Sequence, residues 1–264
     1  MSTQQKRLNQ VLELVSEQGS VSIADVSEEL GVSPATVRRD LNLLAEQRLI
    51  TRTHGGASAL GSGYELPLQY KSDRQAEAKL AIARAVSDLI RPGYSVGING
   101  GTTTTEVARA LGRMDRLPLA SDIPGVTIVT NALNIAYELS VREHVKIVVT
   151  GGVPRRQSYE LIGPLVSSSL RDFSLDVAVI GVDGLSGIGA TTIHEGEAEA
   201  SRHLASIARK VVVAADATKL GRRAFARIMP LDKVDVLVTD APVTGEVAAD
   251  LAAADVEVLV APGD

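Results

Sequence analysis

A chain of 264 residues, 45% of them apolar, is long enough for two domains and holds ample material for a core. It contains no cysteine, which excludes disulfides, thiolate metal sites and cysteine nucleophiles. With no tryptophan and two phenylalanines it offers no aromatic platform for single-stranded nucleic acid. Its formal net charge is −5, so any binding to nucleic acid must rest on a local basic patch.

The N-terminus, MSTQQKRLNQ, is polar, and no apolar stretch approaches membrane-spanning length. A cytoplasmic protein without membrane association is expected. Leu8, Val11, Leu12 and Val15 recur with a helical period and predict a first helix over about residues 4–18, ended by Gly19. Ser22 is a good N-cap for a second helix, with Asp25 at the capping-box position and Ile23, Val26 and Leu30 on its apolar side. Gly31 makes a turn, and Ser33-Pro34 starts a third helix, where Pro loses nothing because its N–H would have no intrahelical partner.

In the third helix Val37, Leu41 and Leu44 face inward, and Ala35, Arg38, Arg39 and Asn42 face outward, with Thr36 in the first turn. A short helix, a tight turn and a helix led by small polar and basic side chains predict a helix-turn-helix whose second member enters the major groove of double-stranded DNA. Either Arg can read guanine or clamp a phosphate. Residues 33–56 hold four basic against two acidic residues, although residues 1–56 hold six against seven. A strand over residues 49–53 with a Gly55-Gly56 turn predicts a wing, with Arg48, Arg52 and His54 able to follow phosphates. Asp40 either holds Arg38 or Arg39 in place or favours the early helix.

The stretch VSPATVRRDLNLLAEQRLITRTHGGA resembles the N-terminal signature of the DeoR family of bacterial transcriptional regulators. The match falls at Ser33, Thr36, Val37, Arg38, Arg39, Asp40, Leu41, Arg52, His54, Gly55 and Gly56. The resemblance implies a winged helix-turn-helix over residues 1–57 that binds operator DNA through Ser33, Ala35, Thr36, Arg38, Arg39, Asn42, Arg52 and His54.

Residues 58–74 have no clean period and read as a linker. From residue 75 onward, YSVGI, VTIVT, VKIVVT, DVAVIG, VVVAAD, VDVLVTD and VEVLVA alternate with helical segments. That pattern predicts an α/β domain over 75–264 with a largely parallel sheet covered on both faces and its site at the carboxyl ends of the strands.

Strand ends carry the chemistry. In GINGGTTTTEVA, Gly100 and Gly101 let backbone N–H groups converge and Thr102, Thr103 and Thr104 add hydroxyls at a helix start, a phosphate cradle without the Lys of a Walker loop. Asn131, Gly151, Gly152, Arg155, Asp183 and Lys219 stand at other strand ends. Arg155 and Lys219 can balance an anion, and Asp183 can accept from sugar hydroxyls. Blander roles exist: Arg155 and Arg156 in a solvated loop, Asp216 as a turn cap, and Glu195, Glu197 and Glu199 as an acidic first turn suited to the helix dipole. His194 lacks a second His at ligand spacing, so no metal is expected, and no cofactor.

Residues 75 to about 240 resemble the sensor domain of the same family, at Gly100-Gly101-Thr102-Thr103, Thr130-Asn131, Gly151-Gly152, Gly163-Pro164, and Asp216, Thr218 and Lys219. That domain is similar to ribose-5-phosphate isomerase. The resemblance implies a homo-oligomeric (dimer or tetramer) repressor of a carbohydrate-catabolism operon, released by a phosphorylated sugar or related small anionic metabolite, and not an enzyme. The alternative is a sugar-phosphate isomerase carrying a DNA-binding module. Two features depart from the family pattern: the ASDIPG segment, which lengthens the connection after LGRMDRLPL, and TTIHEGEAEA in place of the commoner Thr-Thr-Pro-x-x-x-Glu-Ala, with Ile193 at the Pro position and His194 an unusual side chain beside it.

Overall fold

The computed structural model describes residues 3–60, 67–71, 75–114 and 125–262. Two units emerge from it, Met1–Arg74 and Gln75–Asp264.

In the first unit α1 (Thr3–Gln18) is followed by β1 (Ser20–Ser22), α2 (Ile23–Leu30) and α3 (Pro34–Glu46). Ser22 and Asp25 form a reciprocal capping box at the start of α2, and Gly31 ends that helix with φ of 62°. Such caps are each worth about 1 kcal/mol. Leu8, Val11, Leu12, Val15, Val26, Val37, Leu41 and Leu44 close over one core.

The wing differs from its sequence expectation. Arg48 leaves α3 with φ of 57°, and the Leu49 N–H returns to Leu44 O at 2.9 Å. That turn sends both Leu49 and Ile50 into the core, so they do not alternate as a strand would. The strand is β2 (Thr51–Arg52), and it pairs with β3 (Gly56–Ser58), which also pairs with β1. Gly56 therefore lies in a strand, and the hairpin tip is His54-Gly55. A Cβ at Gly56 would collide with Val21 O, which explains the glycine there. The segment read as linker adds Ala59 and Tyr70 to this unit. Tyr70, in α4 (Leu68–Lys71), is buried and its hydroxyl donates to Gln47 Oε1 at 2.7 Å. Residues 61–66 and 72–74 of that segment lie outside the described residues, as does most of ASDIPG.

The second unit runs α5 (Ala76–Asp88), β4 (Ser95–Ile98), α6 (Thr102–Leu111), β5 (Val126–Thr130), α7 (Leu133–Leu139), β6 (Val145–Val149), β7 (Val153–Pro154), β8 (Leu161–Ile162) and α8 (Pro164–Leu170). It continues with β9 (Leu175–Gly181), β10 (Gly184–Ser186), β11 (Gly189–Thr192), α9 (Glu195–Ser206), β12 (Ala208–Ala214), β13 (Ala226–Met229), β14 (Val236–Thr239), α10 (Gly245–Ala253) and β15 (Glu257–Val260). The seven strands foreseen form one sheet in the order β15-β14-β12-β9-β4-β5-β6, with every pair parallel.

Alternation along β9 shows how the sheet is covered. Val177 and Val179 face the core shared with α5, α6 and α7, and Ala178 and Ile180 face the core shared with α8, α9 and α10. A small antiparallel sheet, β10-β11-β13, and the β7-β8 hairpin are additions that the sequence did not announce. Among the described residues no helix is long and apolar enough to cross a membrane.

Candidate functional site

On the first unit, α3 turns one face outward. Ser33 Oγ accepts from the Thr36 N–H at 3.2 Å and lies 3.0 Å from the Thr36 hydroxyl, so cap and first turn are locked together. Ser33, Ala35, Arg38, Arg39 and Asn42 are exposed, and Thr36 is half-buried. Residues 35, 38, 39 and 42 fall on one stripe of a helix. Arg39 Nε reaches Ala35 O at 3.4 Å, a loose bond that leaves most of its donors outward. His54 is exposed at the wing tip.

Two residues of this region do something the sequence did not indicate. Asp40 holds neither Arg38 nor Arg39. It is buried and takes both ends of the Arg7 guanidinium from α1, because position 40 falls on the inward face of α3. Arg52 does not stand free along the wing: its Nε donates to Asn42 Oδ1 at 3.1 Å, and its Nη1 donates to Gly56 O.

On the second unit, β4 lies between β5 and β9, and the chain builds outward from it in both directions. The crevice beyond the carboxyl ends of β4 and β9 is the topological switch point, where open parallel sheets hold ligands. Asn99 pins this point: it donates to Gly181 O at 3.1 Å and to Ser201 Oγ at 2.9 Å, and accepts from the Gly181 N–H at 2.8 Å. Gly101, with φ of 137°, is the N-cap of α6. The unpaired N–H groups of that first turn carry partial positive charge.

The expected cradle is narrower than its sequence suggests. Thr104 is fully buried and its hydroxyl turns back to Gly101 O at 3.2 Å, because its side chain packs against Gly181. The hydroxyls of Thr102 and Thr103 are not drawn onto Gly101 O. The Gly100 N–H donates to Glu160, and the Gly151 N–H donates to Ser169 Oγ at 2.9 Å. Gly152, with φ of 141°, lets the chain pass close to Leu161. Asn131 is buried; its Nδ2 donates to Glu160 Oε2 at 2.9 Å and to Leu161 O at 3.1 Å, and its Oδ1 has no partner among the described residues.

Arg155 lies in no solvated loop. Its Nη1 is 2.9 Å from Glu197 Oε1, with both side chains largely buried. Arg156 is exposed. Asp183 accepts from the Thr192 hydroxyl at 2.9 Å and the Ile193 N–H at 3.2 Å, and faces Lys219 Nζ across 3.9 Å. Asp216 caps its turn, accepting from the Thr218 N–H at 3.1 Å. His194 caps α9 through Nδ1, which accepts from the Gly196 N–H at 3.1 Å and so carries no proton.

Sequence reasoning missed Asn99 and Glu160, and it left Glu197 as one of three similar acids. Glu195 and Glu199 are exposed, whereas Glu197 is buried. Glu160 packs against Gly100 so closely that a Cβ on that glycine would collide with its carboxyl. Burial raises the Glu160 carboxyl to about 8, and the charge of Glu197 pushes the same way. Bonds from Asn131 and the Gly100 N–H oppose the rise without cancelling it.

Comparison with known proteins accords with this pairing of units. A family model described as the DeoR C terminal sensor domain matches residues 74–241, and one described as the DeoR-like helix-turn-helix domain matches residues 7–62. The chain is 37% identical over 240 residues to the glycerol-3-phosphate regulon repressor of Escherichia coli K12, covering 90% of this chain and 92% of that one. It is 36% identical over 257 residues to the HTH-type transcriptional regulator GlpR of Haloferax volcanii, covering 96% of each. It is 32% identical over 239 residues to the HTH-type transcriptional repressor GlcR of Bacillus subtilis, covering 90% of this chain and 88% of that one. Among solved structures, ribose 5-phosphate isomerase A from Methanocaldococcus jannaschii matches at 19% identity over 55% of each chain with a TM-score of 0.40, too loose a likeness to bear on function.

Proposed function

The chain belongs to the DeoR family of transcriptional regulators, and from that premise we propose that it represses an operon for carbohydrate catabolism and is released from its operator by a phosphorylated sugar or related small anionic metabolite. The observation that carries the DNA-binding half is the outward stripe of α3, where Ala35, Arg38, Arg39 and Asn42 stand exposed behind the Ser33 cap. Arg38 and Arg39 read guanine edges or clamp phosphates from the amino-terminal half of that helix. A dimer or tetramer sets two such helices about 34 Å apart, one turn of DNA. Pairing two small basic patches, each within a unit that carries no net positive charge, also strengthens binding.

The effector half rests on the first turn of α6 at the switch point. A phosphate there meets the amino-terminal N–H groups and the Thr102 and Thr103 hydroxyls. Lys219 supplies positive charge, and Asp183 accepts from hydroxyls of the sugar. Arg155 acts from behind, holding Glu197. For the effector to cause release it must bind more tightly to the geometry that misplaces the recognition helices. Moving a mostly competent population to a mostly incompetent one takes roughly 5 kcal/mol of differential affinity.

The relatives are named as regulators, which favours regulation over isomerisation. A thermal-shift screen of the purified full chain against sugar phosphates and their dephosphorylated counterparts tests the effector class. A phosphorylated compound should raise the unfolding temperature where its dephosphorylated partner does not. Equal shifts from both would remove the phosphate site from the reading.

A further inference from the structure

Arg52 bridges the wing and α3 by its side chain, bonding Gly56 on one side and Asn42 on the other, and its chemistry constrains Asn42. A guanidinium has donors and no acceptor, so the Asn42 atom facing it must be the carbonyl oxygen. Turning the amide over would set N–H against N–H. The usual ambiguity of an amide is thus resolved by its partner. The guanidinium is itself held from the wing side through Nη1 to Gly56 O, which also accepts the Thr53 N–H that closes the hairpin. Asn42 is exposed and shares the stripe of Ala35, Arg38 and Arg39.

We propose that Arg52 is a positioning residue for DNA recognition: it fixes the Asn42 amide so that α3 offers the Nδ2 donors, and not Oδ1, to a hydrogen-bond acceptor on operator DNA. This rests on the DNA-binding reading above. It specifies what Asn42 recognises. A paired Asn–adenine contact needs Oδ1 and Nδ2 side by side toward the base; here Arg52 takes one lone pair of Oδ1 and holds that oxygen toward the wing, which disfavours the paired geometry. What remains is an acceptor, either a phosphate oxygen or an acceptor on a base edge. Arg52 keeps other donors, but its orientation is set by protein rather than by DNA.

The test uses the full chain and a duplex that it selects from a randomised library. Asn42→Ala and Arg52→Ala should each weaken binding by roughly two- to tenfold, the range for one hydrogen bond. The double variant should lose little more than the worse single one, since both remove one arrangement. Arg52→Lys, which retains one donor for Oδ1, should recover part of the contribution of Asn42, a rescue that a purely structural role would not produce. Unfolding temperatures are measured alongside to confirm that each variant is folded at the assay temperature.

Two DNA arms identify the acceptor. Methylphosphonate substitution erases the Asn42→Ala effect if a phosphate is contacted, and bases lacking a major-groove acceptor erase it if a base edge is. Persistence of the effect at every substituted position overturns the proposal. So do additive losses, or a smaller salt slope in Arg52→Ala with the Asn42 contribution intact, which would make Arg52 a direct phosphate contact. A library that enriches no sequence fails the DNA-binding reading itself, whereas an enriched duplex with additive losses fails only this inference.

Discussion

Arg7 on α1 grips Asp40 on the recognition helix with two bonds, Nε to Oδ2 at 2.5 Å and Nη2 to Oδ1 at 3.1 Å. The pair is lopsided: the Asp40 side chain is 3% exposed and that of Arg7 is 21%. Removing either partner strands the other, and the cost depends on whether water can reach what remains.

Arg7→Ala leaves a carboxylate with little water and should cost the first unit about 3 kcal/mol, by analogy with broken buried pairs. Asp40→Ala leaves a guanidinium that can turn toward solvent, and should cost less, ~1–2 kcal/mol. Adding Asp40→Asn to Arg7→Ala should restore part of the loss. Urea unfolding of the three variants checks the order. A larger loss in Asp40→Ala than in Arg7→Ala would contradict this account of the pair.

Arg38→Ala and Arg39→Ala should leave unfolding unchanged within ~0.5 kcal/mol, because both side chains are exposed. Operator binding should weaken in both. The variant that loses a base contact should also lose ~1–3 kcal/mol of discrimination at one position. Competition between the selected duplex and a scrambled one at fixed salt separates the two effects, and unchanged affinity in both variants would remove these residues from the interface.

How far the sequence anticipated this protein depends on the range of the signal. All seven strands of the large sheet were legible because a parallel strand is buried on both faces and reads as an apolar run. The strands β1, β7, β8, β10, β11 and β13 have two to four residues each and no period of their own. Caps at Ser22 and Ser33 are local and were legible. The partner of Asp40 lies 33 residues away, and Glu160 meets Asn131 across 29 residues, so neither pairing leaves a local trace. Glu197 resembled its neighbours Glu195 and Glu199 until burial distinguished it. Gly100 was read as a phosphate ligand because glycine permits close approach, and the close approach turned out to be by the carboxyl of Glu160.

Glu160 makes the stability of the second unit depend on pH. Its carboxyl titrates near 8 in the folded chain, chiefly from burial, and in the ordinary carboxylate range when unfolded. Between those values the folded state holds a proton that the unfolded state has lost. Its contribution is full at acid pH and is lost as pH rises toward and through 8. Glu160→Gln keeps the shape and cannot titrate. Denaturation at pH 6 and pH 8.5 should show a smaller loss on raising pH in the variant than in the parent; an equal loss would place the titration elsewhere.

Thr102→Glu puts a carboxylate in the first turn of α6. An acid is favoured there by the helix dipole, by ~0.3–1 kcal/mol, so the fold should hold. The same charge should repel an anionic ligand, and Thr102→Ser should not. Calorimetry with the phosphorylated compound found by thermal shift is the check: at least tenfold weaker binding is expected for the Glu variant. Wild-type affinity in that variant would move the phosphate away from α6.

The most direct measurement of the central claim is fluorescence anisotropy of the full chain on its selected duplex, titrated with phosphorylated sugars and glycerol phosphate beside their dephosphorylated forms. Release by a phosphorylated compound, absent for its dephosphorylated form and abolished by Thr102→Glu while DNA binding persists, is the predicted result. A duplex that stays bound throughout the phosphorylated series, or that is released equally well without the phosphate, would contradict it.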